Sequence, residues 1–179
     1  MKAIYIIISV FFLVSCRQKN EHIKLSMESM MSSPVNLCLD ELHDQTLTPH
    51  KDNDMERADF KIIQYVDSFE CAPCILDYLH VWNSLINDRR LEKPKVQFAF
   101  IIAPSREKLE DAYLSVQSSG VKAMIYIYSL SVFSQKNPKI PREKLYHTFV
   151  LDRNNNVVLI GNPILNKEVK GLLFRLILN

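Results

Sequence analysis

The chain alternates short apolar runs with polar segments, and the period of each run predicts its element. Residues 3–14, AIYIIISVFFLV, are apolar apart from Ser9. From Arg17 to Asp59 no period is sustained, and HDQTLTPHKDNDMERAD reads as exposed connection. At Phe60 the pattern sharpens. FKIIQYVD is a continuous apolar-rich run suited to a buried strand. After Cys74 the spacing changes to three and four, with Ile75, Leu76, Leu79, Trp82, Leu85 and Ile86 forming one stripe of a helix. KVQFAFIIA, residues 95–103, predicts a second strand. Ser105 followed by REKLEDAYLSVQ predicts an N-capped helix with Leu109, Ala112, Tyr113 and Val116 on one face, and Gly120 is placed to end it. VKAMIYIYSL predicts a third strand, and SVFSQKNPKIP a polar loop bounded by proline. LYHTFVLD and VVLIG are two further strands joined by RNNN, a hairpin signal, and a helix follows from about residue 165 to 178.

The predicted order is therefore β-α-β-α-β, a β-hairpin and a helix. Strands separated by helices favour a parallel core with right-handed crossovers, to which the hairpin adds an antiparallel pair. The expected fold class is α/β, a three-layer α/β/α sandwich with a mixed central β-sheet. At 179 residues the chain suits one domain with an appendage. The division expected is a leader over 1–15, a tether and N-terminal extension over 16–59, and the folded domain over 60–179.

Charge and glycine content exclude several functions. Lys and Arg number 22 against 20 Asp and Glu, a formal +2, too balanced for sequence-independent phosphate binding, so no nucleic-acid partner is expected. The three glycines, Gly120, Gly161 and Gly171, are too scattered for a dinucleotide fingerprint or a P-loop.

The N-terminal run has the layout of a secretory signal peptide: Lys2, then an apolar block of about a dozen residues, well short of the roughly 20 that span a bilayer. A buried N-terminal helix or strand is the blander reading of the same block. Its last residues, Leu13, Val14, Ser15 and Cys16, resemble a bacterial lipobox, in which the cysteine is lipid-modified before cleavage. The resemblance implies lipidation at Cys16, acyl chains such as palmitate, a mature chain of 164 residues, and attachment to a membrane of the cell envelope, facing the periplasm. In the alternative, an ordinary secreted protein, Cys16 is incidental.

Chemistry becomes readable at Glu70-Cys71-Ala72-Pro73-Cys74, between the first strand and its helix. The first turn of a helix carries unpaired N–H groups and the positive end of the macrodipole, so a thiolate there is stabilised. Two intervening residues let the sulfurs close a small ring. Cys71, at the cap, would attack a substrate disulfide, and Cys74, one turn in, would resolve the mixed disulfide. Pro73 suits a helix start, where its missing N–H costs nothing. The negative charge of Glu70 works against the helix end by raising the Cys71 pKa.

The C-x-P-C between strand and helix, and the later His147-Thr148-Phe149-Val150-Leu151-Asp152 with its Asn-rich turn and Val157 to Gly161, are similar to the thioredoxin-like superfamily. The resemblance is to the redoxin-domain lipoproteins and tethered thiol–disulfide oxidoreductases of Gram-negative bacteria, and it covers residues 60–179. It implies disulfide exchange with protein thiols or disulfides, an electron donor not identifiable from this chain, and no organic cofactor beyond the Cys71–Cys74 redox pair. Three positions depart from the pattern. Tyr146, followed by His147, stands at the substrate-docking position where relatives carry a cis-proline; Glu70 replaces a tryptophan; and Tyr65 stands where many relatives bury an acid. A structural Cys71–Cys74 disulfide in a non-catalytic binding or envelope-maintenance module is the rival reading. A zinc site is not expected, because Cys38 and His43, His50, His80 and His147 show no paired ligand spacing. Cys38 is expected as a buried small residue or a thiol, and the histidines on loops or at the sheet edge. A peroxiredoxin reading lacks the Pro and Thr context of that family's peroxidatic cysteine.

Overall fold

The computed structural model describes residues 21–39, 53–67, 78–93, 95–128 and 132–178. Cys16, His43, His50 and the whole of 68–77 lie outside the described residues. The elements are helix α1 (21–31), α2 (Asn53–Glu56), β1 (Phe60–Val66), a 3-10 turn (Leu79–Trp82) running into α3 (Asn83–Ile86), and β2 (Val96–Ile102). They continue with α4 (Leu109–Ser118), β3 (Met124–Ile127), α5 (Val132–Lys136), β4 (Thr148–Asp152), β5 (Val157–Ile160) and α6 (Lys167–Leu178).

The sheet has the order β3-β2-β1-β4-β5. β1 pairs in parallel with β2, and β2 with β3, while β4 is antiparallel to β1 and β5 antiparallel to β4. β1 is central and largely buried on both faces, which its apolar-rich run allows. The two-residue period of a strand divides it cleanly. Ile63 and Tyr65 face a layer containing Met30, Leu37, Phe133 and Phe149, whereas Ile62 and Val66 face Leu79, Trp82, Leu85, Val116, Leu173 and Ile177. Helical segments cover both faces, giving the mixed α/β/α sandwich that the periodicity predicts.

Part of the N-terminal extension packs on the core: Met30, Val35, Leu37 and Cys38 are buried, the Val35 N–H donates to Asn155 O (2.8 Å) and the Tyr128 hydroxyl to Leu37 O (2.6 Å). Three local expectations are corrected. Residues 132–136 are helical rather than loop, anchored by buried Phe133. The strand expected from residue 145 begins at Thr148, after a 3-10 turn over Lys144–Tyr146. Ser105 precedes a 3-10 turn, Arg106–Lys108, and its side chain makes no cap hydrogen bond. The hairpin and the closing of α4 follow the sequence: Asn155 takes φ 63° in the RNNN turn, which Asn tolerates, and Gly120 takes φ 62° just past α4. No helix among the described residues is long and apolar enough to cross a membrane.

Candidate functional site

The candidate site is sought at the C-terminal end of β1. Cys71 and Cys74, with Glu70, Ala72 and Pro73, fall in the sequence between Asp67 and Tyr78, outside the described residues. On the strand side, Val66 O accepts from the Ala103 N–H (2.9 Å) and Asp67 is 8% exposed. On the helix side Leu79 and Trp82 are buried, and the Trp82 ring meets Phe100 edge-on with centroids 5.5 Å apart. Leu79 and Trp82 belong to the core on the Val66 face of the sheet, and Asp67 lines a cleft on the Tyr65 face.

β4 brings the later motif alongside. Gln64 is in register with Thr148, whose hydroxyl donates to Gln64 Oε1 (2.7 Å), and the Gln64 amide donates to Tyr65 O (3.0 Å). Tyr65 N–H donates to His147 O (2.7 Å), which ties the residue before β4 to the end of β1. His147 is buried; its Nε2 lies 3.0 Å from Pro141 O, an atom that only accepts, so Nε2 carries the proton. The His147 ring packs 4.9 Å from Tyr65.

Tyr146 and His147, the positions singled out for substrate docking, therefore do reach the strand edge, but with their main chain engaged. The Tyr146 N–H donates to Glu143 O (3.0 Å) and the His147 N–H to Lys144 O (3.1 Å). The Tyr146 side chain is buried with Tyr65 and Phe149, and its hydroxyl has no hydrogen-bond partner.

Two clefts open here. One, of about 660 Å³, is lined by Tyr65, Asp67, Phe133, Pro138, Arg142 and His147. The other, about 720 Å³ on the opposite side of β1, is apolar, and Tyr78, Val81, Leu145 and Leu165 stand exposed around it. Asp67 is the residue that sequence reasoning missed. It is a buried carboxylate four positions before Cys71, and an acid placed directly after the last apolar residue of a central strand was its only signal. The remaining candidates are peripheral. Cys38 is buried with φ 55° and its Sγ 3.5 Å from Asn36 O, and His80 is exposed. No cluster of three His, Cys, Asp or Glu among the described residues has the arrangement of a metal site.

No family model matches the chain, and no curated protein matches it significantly. Solved structures do. A thiol-disulfide isomerase from Corynebacterium glutamicum superposes with a TM-score of 0.52 over 82% of this chain and 96% of that one, at 13% identity. The fold is thioredoxin-like. Two other matches are the thioredoxin domain of a thiol-disulfide oxidoreductase from Bacteroides vulgatus and an uncharacterized thioredoxin-like protein from Porphyromonas gingivalis. The first has a TM-score of 0.45 at 10% identity, over 67% of this chain and 82% of that one. The second has a TM-score of 0.44 at 16% identity, over 63% and 74%. Within the thioredoxin-like sheet β1 is the central strand, and its carboxyl end is the end of an open α/β sheet where sites form.

Proposed function

We propose that this chain is a thiol–disulfide oxidoreductase working through Cys71 and Cys74, anchored by lipid on Cys16 to an envelope membrane and facing the periplasm. What supports the exchange reading is a C-x-P-C that begins, in the sequence, five residues after the last residue of the central strand of a thioredoxin-like fold. In the reducing direction the Cys71 thiolate attacks one sulfur of a substrate disulfide, and the departing substrate thiolate takes a proton. The Cys74 thiolate then attacks Cys71 Sγ, releasing the second substrate thiol. Two electrons pass to the substrate, the Cys71–Cys74 disulfide remains, and a donor dithiol restores the pair. Asp67, buried at the strand end, is the protein group we assign to accept the Cys74 proton in place of the acid absent at Tyr65.

Cys71→Ser should abolish reduction of an insulin-type disulfide, while Cys74→Ser should accumulate a mixed disulfide visible on a non-reducing gel. Full turnover in either variant would sink the reading. One observation favours a non-catalytic module with a structural disulfide: the docking position is filled by Tyr146, buried and with its N–H engaged. The reduction potential separates the two, because a structural bond falls below about −300 mV and an exchanging one between about −270 and −120 mV.

A further inference from the structure

Four large apolar side chains, Tyr78, Val81, Leu145 and Leu165, stand exposed around the apolar cleft of about 720 Å³. Leu165 is 84% exposed and Leu145 52%, so both project from the rim. Projecting tips suit a planar apolar phase, whereas a bound peptide would be gripped by walls. The backbone carrying both leucines is internally paired. Asn162 Oδ1 accepts from the Ile164 N–H (2.8 Å) and the Leu165 N–H (3.2 Å), and Asn166 Oδ1 from the Glu168 N–H (2.8 Å) and the Val169 N–H (3.2 Å). The turn over Lys144–Tyr146 is closed by the Tyr146 N–H on Glu143 O and the His147 N–H on Lys144 O. A backbone so paired can approach an apolar phase at little cost.

The place where α1 begins says what meets this rim. From Cys16 to Glu21, the first residue of α1, the chain has five residue steps, which reach at most about 18 Å. His22 and Leu25 of α1 line a shallow cleft with Pro138 and Pro141, and these two prolines also line the cleft of Tyr65 and His147 at the end of β1. Leu145 follows Pro141 by four residues. A lipid on Cys16 would thus hold this end of the molecule close to a bilayer. We infer that the rim is a shallow bilayer-docking surface, with Leu145 and Leu165 entering the interfacial region of a phospholipid membrane beside Tyr78 and Val81. The choice of a bilayer as partner rests on the lipid anchor proposed above; the projection and backbone pairing of the rim do not. Glu143, Lys144, Lys167 and Glu168 flank the leucine-bearing segments in the sequence, so only side-chain tips enter, within the outer 5–10 Å or so (about one side-chain length) of the interface.

The test uses the full chain recovered from membranes, with acylation of Cys16 read by intact mass, in zwitterionic phosphatidylcholine vesicles whose acyl chains carry bromine. A tryptophan is placed by Leu165→Trp or, as a control, by Leu114→Trp at an exposed position of α4 outside the rim, and the quenching of native Trp82 in the parent is subtracted. Quenching should be at least about twofold stronger in Leu165→Trp, and adding Leu145→Glu should bring it down to the control. The difference should persist from about 0.01 to about 0.5 M salt, because apolar insertion is not screened. Equal quenching at the two sites, or a difference that salt abolishes, overturns the inference. So does the absence of quenching together with saturable binding of a leucine-rich peptide, which would give the rim to a polypeptide. If Cys16 carries no acyl group, the anchor reading fails, and the same pair of variants is held to the vesicles by a histidine tag ahead of Arg17 on nickel-chelating lipid. There, unequal quenching sustains the docking surface and equal quenching overturns it.

Discussion

Asp152, at the corner between β4 and β5, shows how one side chain organises a turn. Its Oδ1 accepts from the Asn154 N–H (2.8 Å) and the Asn156 N–H (2.9 Å), and its Oδ2 from the Asn156 amide (3.0 Å). Burial pushes its pKa up, but the hydrogen bonds from Asn156 and Asn154 and the charge of Lys61 outweigh this and hold it below the ordinary 3.8. A carboxylate with a depressed pKa stabilises the fold fully above its ordinary value and loses that contribution as pH falls through the lowered one. Asp152→Ala should therefore lower urea stability at pH 7 by about 1–3 kcal/mol, and the gap from the parent should close progressively below about pH 4. Asp88 behaves alike: the Arg90 guanidinium holds it down to about 2, so protonation of the Asp88 carboxylate completes the same acid limb. The Asp152 turn is legible in the sequence, since RNNN between two apolar runs has one simple interpretation. Asp67 is not, because nothing in a linear pattern distinguishes an acid that ends a strand in solvent from one buried in a cleft it lines with Tyr65, Phe133 and His147.

At the scale of elements, the β5 to α6 junction and α6 itself make opposite demands on glycine. Gly161, just past β5, has φ 129°, and a Cβ there would meet the Val169 side chain at 3.0 Å. Gly171 lies inside α6 with an ordinary φ and nothing within 4 Å of a Cβ. Gly161→Ala should destabilise by about 1–3 kcal/mol, whereas Gly171→Ala should stabilise by about 0.5–1 kcal/mol, both readable as shifts of a denaturation midpoint at unchanged slope. The strands are legible because buried central strands need apolar-rich runs. α5 is not, because a five-residue helix closed by a proline two residues on has too few positions to show a period; Phe133 and the bonds of Asn137 hold it in place. The 3-10 turn before β4 is hidden for a related reason: Leu145 and Tyr146 look like strand residues, yet Tyr146 enters the core from a turn.

For the whole molecule, the packed body is larger than the apolar periodicity suggests. Met30, Val35 and Leu37 complete the layer over Ile63, Tyr65 and Phe149. A chain beginning at Phe60 would leave that sheet face open, and it should lose near-ultraviolet circular dichroism or unfold at markedly lower urea than the full chain. Indistinguishable transitions would show that the extension contributes nothing. The sequence by itself determined the strand and helix order, the mixed sheet and the candidate cysteine pair. Alternation at period two and recurrence at three and four are local signals, and a C-x-P-C is contiguous. Only the tertiary structure decided that residues 30–38 belong to the core, that Asp67 and His147 share a cleft at the end of β1, and that Pro138 and Pro141 line it with them. Those relations join residues far apart in the chain through packing and long-range hydrogen bonds, which leave no period to be read along it.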